Sequence, residues 1–188
     1  DPDKRYLEYT DRWGVYHKWT ARGSVDDTNA DNQCCEQTYI DRFAATGDSV
    51  MIAPTTENLN HQMATGRKNY WWWIDAIQMA MPVYAKYAKI SGDRHYLDYA
   101  MDCYRDARDR RGLFNIADGL WWRDSVYKAP YKEPDGKNCY WSRGNGWVYA
   151  ALVRVMKTVD ADDPYYKELL KDYLLMTHAL VKLQRRDG

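Results

Sequence analysis

The chain has 188 residues, enough for one domain with its own core, and its 27 Lys+Arg balance 27 Asp+Glu. That even charge argues against nucleic acid or an acidic membrane surface as a main partner. No apolar run approaches the ~18 residues of a membrane span, and nothing at the start reads as a signal peptide.

Asp1-Pro2-Asp3 opens a first helix in which Tyr6, Tyr9, Trp13 and Tyr16 fall at helical spacing. A polar loop from Thr20 to Asn32 leads to a second helix, from about Gln33 to Ala45, which stops at Thr46-Gly47-Asp48. A third starts near Asp48 and runs to about Ala64, with Pro54 bending or restarting it. After Thr65-Gly66-Arg67-Lys68-Asn69 come three consecutive tryptophans, Trp71, Trp72 and Trp73, and a fourth helix with Ile77, Ala80, Met81, Tyr84 and Tyr87 on its apolar face. It ends at Ser91-Gly92-Asp93, and a fifth spans roughly Arg94 to Arg110 with Tyr96, Tyr99, Cys103 and Ala107 on one side. The rhythm breaks at 112–135, a short hairpin or irregular excursion. A sixth helix runs from about Gly144 to Val159. Asp163-Pro164 opens a seventh that reaches Gln184 with Leu169, Tyr173, Met176, Leu180 and Leu183 inward.

The helix starts repeat. Arg5-Tyr6-Leu7-Glu8-Tyr9 returns as His95-Tyr96-Leu97-Asp98-Tyr99, and Asp3, Asp48 and Asp93 are spaced by 45 residues. A period of that size is one antiparallel helix pair, so the fold class is all-α: stacked αα-hairpins, as an open solenoid or a closed toroid. Asp31, Asp75 and Arg143 then fall just before or at the start of the second helix of their pairs. Equivalent hairpins place such positions on one rim.

That rim gathers Asp31, Trp73, Asp75, Trp141, Arg143, Asn145 and Trp147, with Arg123 and Asp124 reaching in from the excursion. An acid walled by Trp71 to Trp73 should resist ionisation, as a general acid does. Gly144-Asn145-Gly146 would leave backbone N–H groups open at a helix N-terminus, and Arg143 offers a fork suited to a carboxylate. Two acids, guanidinium groups and flat indoles suit an acidic sugar. The plainer roles are a cap for Asp75 or Asn145, a salt bridge for Arg143 and a structural pair for Arg123-Asp124. The skew of 9 Trp and 17 Tyr against 2 Phe fits an amphipathic cleft. Cys34, Cys35, Cys103 and Cys139 lack metal-ligand spacing and read as small buried side chains. His17, His61, His95 and His178 do not cluster with acids, so no metal is expected.

At Trp73-Ile-Asp75-Ala-Ile-Gln-Met-Ala-Met-Pro82 and Trp141-Ser-Arg143-Gly-Asn-Gly-Trp147 the sequence resembles the unsaturated rhamnogalacturonyl hydrolases, glycoside hydrolase family 105, which are relatives of the family 88 unsaturated glucuronyl hydrolases. Asp31-Asn32-Gln33 through Gln37-Thr38-Tyr39 matches a third segment. The resemblance implies an (α/α)6 barrel and removal of an unsaturated galacturonyl residue from the non-reducing end of rhamnogalacturonan oligosaccharides by hydration of a C4=C5 double bond. It implies Asp75 as general acid/base and Asp31 as the second, supporting acid. Arg143 and Trp147 match substrate-binding positions, with Trp141 in the same motif, and no metal or organic cofactor is implied. The partner is a small oligosaccharide carrying an unsaturated uronic acid. Two departures bear on the aglycone: Trp121-Trp122-Arg123-Asp124 stands where many members carry a histidine, and the segment before Trp71 is short, with His61 its nearest histidine. Six hairpins need about 270 residues at this period, so residues 1–188 are expected to form a single domain with about half a barrel. The first residue, Asp1, suggests a trimmed chain and leaves the compartment open. The alternatives are a conventional inverting glycosidase on the same scaffold and a non-catalytic helical-repeat binding module.

Overall fold

The computed structural model describes residues 4–23 and 25–187. The expected helix opening at Asp1-Pro2-Asp3, and with it the first marker of the repeat, lies outside the described residues. The helices are α1 (Lys4–Tyr16), α2 (Ala30–Gln33), α3 (Glu36–Thr46), α4 (Ala53–Ala64), α5 (Asp75–Ser91), α6 (His95–Arg105), α7 (Ser142–Met156) and α8 (Pro164–Leu183). Two short antiparallel strands, β1 (Phe114–Asn115) and β2 (Leu120–Trp121), stand between α6 and α7.

The period has a local chemical cause. Gly47 and Gly92 close α3 and α5 in the left-handed region at φ 72°, a conformation that costs glycine nothing. The hydroxyls of Thr46 and Ser91 accept the N–H of the aspartate that follows, at 3.3 and 3.2 Å. Asp48 and Asp93 in turn accept the N–H two residues ahead, from Val50 and His95. Each hydroxyl-Gly-Asp joint therefore stops one helix and holds the turn that leads into the next, a short tight turn over Ser49–Met51 before α4 and the first residue of α6. Asp163 caps α8 the same way through Tyr165 N–H, with Pro164 in the first turn.

The helices form two rows. In one, α5 packs against α3 and α7 and is buried over most of its circumference. In the other, polar bonds join α4 to α6 (Tyr96 OH to Asn60 Oδ1, 2.6 Å) and α6 to α8, where Arg105 meets Glu168 at 2.6 Å and Arg108, just past the end of α6, meets Asp172 at 2.7 Å. Pro82 lies inside α5 and has no N–H for the Gln78 carbonyl one turn back. Gln37 of α3 fills that place: its Nε2 donates to Gln78 O at 2.9 Å, while its Oε1 accepts from Arg154 of α7 at 3.1 Å.

Several expectations need correction. The second helix is two, broken at Cys34-Cys35. The fifth changes its winding after Arg105 into a wider turn over Asp106–Arg110, and the sixth begins at Ser142 and ends at Met156. Leu183 is exposed, beyond the turns of α8 where Tyr173 and Thr177 meet Tyr149 of α7. Cys103 is buried but Cys34, Cys35 and Cys139 are only half-buried. The aromatic stripe of α1 faces outward: Tyr6, Tyr9, Trp13 and Tyr16 are all exposed. No helix among the described residues is long and apolar enough to cross a membrane.

Candidate active site

The starts of α2, α5 and α7 open onto one cleft of about 540 Å³. Asp31, Trp73, Asp75, Arg123, Trp141 and Arg143 line it together with residues 27–29, Arg67, Asn69, Tyr70 and Trp72.

Asp75 is the first residue of α5 and is 8% exposed. The stretch before it is anchored on both sides. Trp71 is 2% exposed and packs in the core beside Tyr84, while Ile74 N–H donates to Arg123 O at 3.0 Å and Trp73 bridges Asp124. The tryptophan wall is thus two residues, Trp72 and Trp73, with ring centroids 4.6 Å apart, and Trp71 is no part of it. Asp75 makes no capping hydrogen bond, and its Oδ1 is buried without a partner among the described residues. Burial raises its pKa above the ordinary carboxylate value. The Arg143 charge opposes that rise, the Asp31 charge adds to it, and Arg123 opposes it more weakly.

Arg143 sits in the first turn of α7, its guanidinium 4.2 Å over the Trp141 ring. It forms no ion pair among the described residues. Its position depends on Gly144: a Cβ there would lie 2.6 Å from Ile74 Cδ1 and 2.8 Å from Trp141, so only glycine lets α7 start against the foot of α5. Gly144 is therefore a packing residue, and because α7 already begins at Ser142 and Asn145 N–H donates to Trp141 O at 3.1 Å, the N–H seat expected at 144–146 is not provided there. Asn145 is likewise a clamp rather than a cleft residue. It is 2% exposed, its Oδ1 accepts Trp121 N–H at 2.8 Å, and its Nδ2 donates to the Trp121 and Trp141 carbonyls at 2.9 and 3.0 Å. Trp147, one turn along α7, is half-buried and does not line the cleft.

Asp31 is exposed in the first turn of α2. Its N–H donates to Asn29 Oδ1 at 3.1 Å, and Asp27 holds the loop by accepting from Asn29 N–H and Asn32 Nδ2 at 2.9 and 2.6 Å. Arg123 lines the cleft and is also paired with Asp124, Nη2 to Oδ2 at 2.6 Å. Arg67, Asn69, Tyr70 and residues 27–29 were not anticipated. Both loops immediately precede a helix start on the rim, so extending the 45-residue register backwards through them would have found them. His61 points elsewhere, to Asp26 at 3.0 Å. Among the described residues no group of three His, Cys, Asp or Glu could hold a metal ion. The cleft offers a desolvated acid, a second carboxylate, an exposed guanidinium and indole faces.

The whole chain, residues 1–188, matches the model of Glycosyl Hydrolase Family 88. An unsaturated 3S-rhamnoglycuronyl hydrolase of Formosa agariphila is 34% identical over 133 residues, 66% of this chain and 34% of that protein. A protein of the same name from Alteromonas sp. is 34% identical over 118 residues, 63% of this chain and 28% of its own. A solved glycosyl hydrolase family 88 protein from Bacteroides vulgatus superposes with a TM-score of 0.92 at 31% identity, covering 98% of this chain and 57% of that one. A family 105 glycoside hydrolase of C. acetobutylicum matches with a TM-score of 0.74 at 20% identity, covering 97% and 56%, a likeness of fold alone. The chain spans about a third of the length of the curated relatives it matches. The double row of helices is an arc of the helical-barrel architecture of these proteins.

Proposed function

The chain belongs to glycosyl hydrolase family 88, and from that premise we propose that its cleft removes an unsaturated galacturonyl residue from the non-reducing end of rhamnogalacturonan oligosaccharides. Asp75 is the general acid. Its protonated carboxyl delivers a proton to C4 of the C4=C5 double bond, and the positive charge that develops at C5 is shared with the ring oxygen. Water adds at C5 and returns a proton to Asp75. The hemiketal so formed opens to a C5 ketone, and the hemiacetal left at C1 breaks down to an aldehyde and the aglycone alcohol. Asp31 holds substrate hydroxyls and supports Asp75, Arg143 meets the uronate carboxylate, and Trp73 and Trp141 stack on the sugar rings.

The observation that carries this reading is Asp75 itself. It is a buried, uncapped acid held towards its neutral form at the mouth of a cleft where Arg143 forms no ion pair with it among the described residues. An acid that protonates carbon near neutral pH needs that bias. The similar proteins of Formosa and Alteromonas bear names that join rhamnose to an unsaturated uronyl group, which supports the same substrate class.

Incubation with an unsaturated rhamnogalacturonan disaccharide should abolish the double bond's ultraviolet absorbance, and Asp75→Asn should prevent this. Wild-type rates in Asp75→Asn would overturn the mechanism. Turnover of saturated but not unsaturated oligosaccharide would instead identify a conventional inverting glycosidase. A parallel series with unsaturated 3S-rhamnoglycuronyl oligosaccharides decides which aglycone is preferred.

A further inference from the structure

Behind the cleft, where α2 and α3 meet α4 and α5, the interior turns polar. Glu36, the first residue of α3, is fully buried, and its Oε1 accepts from Asn58 Nδ2 at 2.9 Å. Gln33, on the same short helix as Asp31, donates from Nε2 to Gln62 Oε1 at 3.2 Å. Tyr84 of α5 donates to that same oxygen at 2.7 Å. Side-chain bonds to two residues of α4, Asn58 and Gln62, thus tie α3, the Asp31 helix and the Asp75 helix to one another.

Within this group, Glu36 Oε2 and Asn58 Oδ1 are both buried and both without a partner among the described residues. Both are acceptors if Glu36 is ionised. The groups around Glu36 are Gln33 on α2, Cys35 before α3, Tyr39 on α3, Asn58 and Gln62 on α4 and Tyr84 on α5. Burial holds Cys35, Tyr39 and Tyr84 protonated. No charged side chain acts on Glu36, so an ionised carboxylate would be desolvated with no counter-charge.

We propose that Glu36 carries a proton at neutral pH and is a positioning residue: Oε2–H donates to Asn58 Oδ1 while Asn58 Nδ2 donates to Oε1, a paired acid–amide clasp that fixes the start of α3, directly after the Asp31 helix, on α4. The proton satisfies both orphan oxygens at once. Burial acts in the same direction, pushing the Glu36 pKa up to about 8. The clasp stands on this geometry alone; only its kinetic consequence rests on the role proposed for Asp31.

The test has two arms. In the Asp75→Asn protein at pH 6, the infrared spectrum should show the carbonyl band of a protonated carboxyl that disappears in Asp75→Asn/Glu36→Gln and titrates away through about pH 8. Absence of the band, or its persistence in the double variant, overturns the clasp. In the otherwise wild-type protein, Glu36→Ala should raise KM for the unsaturated disaccharide about ten-fold, the scale of one buried hydrogen bond. Glu36→Gln, whose amide can make both bonds to Asn58, should restore it. An unchanged KM in Glu36→Ala overturns the positioning role. Should Glu36→Ala fail to fold, the infrared arm decides. A protein inactive on unsaturated substrate would refute the proposed function without touching that arm.

Discussion

In residues 71–75 the chain sends Trp71 into the core and keeps Trp73 and Asp75 at the cleft. In residues 141–145 it sends Gly144 and Asn145 inward and leaves Trp141 and Arg143 at the same cleft. Both stretches anchor themselves with residues next to those they present, yet the groups they present have opposite characters. Asp75 is desolvated and resists ionising, whereas Arg143 is exposed, resting on an indole with no carboxylate partner. An internal ion pair between the two would have quenched both. Their separate mountings leave an acid able to give up a proton and a cation free to meet an anionic ligand.

The first way to break that contrast is Asp75→Asn, which removes the proton donor while keeping the shape. Turnover of unsaturated disaccharide should fall about 10²–10⁴-fold with an unchanged thermal melt. Next is Trp71→Ala, which attacks the anchor and should cost about 3–5 kcal/mol in urea unfolding. The same change at half-buried Trp73 should instead show mainly in KM. Arg143→Gln should raise KM about 10–100-fold, the worth of charge-assisted hydrogen bonds. Gly144→Ala forces a methyl into Ile74 and should cost about 1–3 kcal/mol, with lower activity as Arg143 moves.

The smallest effects are in pH dependence. In the proposed mechanism activity requires protonated Asp75, so kcat/KM should be present below its raised pKa and lost as pH rises through it. Because Arg143 lowers that pKa, Arg143→Gln should carry the alkaline limb to higher pH. Because Asp31 raises it, Asp31→Asn should carry the limb to lower pH. Limbs moving together, or not at all, would mean that another group titrates in the profile.

What could be read in the sequence was what local chemistry decides. The joints at Thr46-Gly47-Asp48 and Ser91-Gly92-Asp93 are complete within a few residues, so the period they generate was visible, and it brought Asp31, Asp75 and Arg143 to one rim. Asn145 could not be read this way, since what decides its role is Trp121, 24 residues back across the excursion. Gly144 looked like an opening for a ligand, but Ile74 occupies the space its missing side chain leaves. Helical spacing showed that Tyr6, Tyr9, Trp13 and Tyr16 share a face, as Ile77, Met81 and Tyr84 do. It carries nothing about which face another helix covers: the first set is exposed and the second buried. Arg67 stands in a loop, and only the register carried back from the start of α5 points to it.

Pro82 makes the most economical join in the molecule. A proline in mid-helix is ordinarily a defect that costs about 3 kcal/mol, yet here the carbonyl it strands is the socket for Gln37, which in turn holds Arg154. Three helices are registered to one another by a bond that α5 gives up. Replacing Pro82 with alanine would mend the helix and make its carbonyl a shared acceptor, weakening its hold on its neighbours. The gain would be local and the loss collective: a straighter α5 whose alignment with α3 and α7 is less strictly kept.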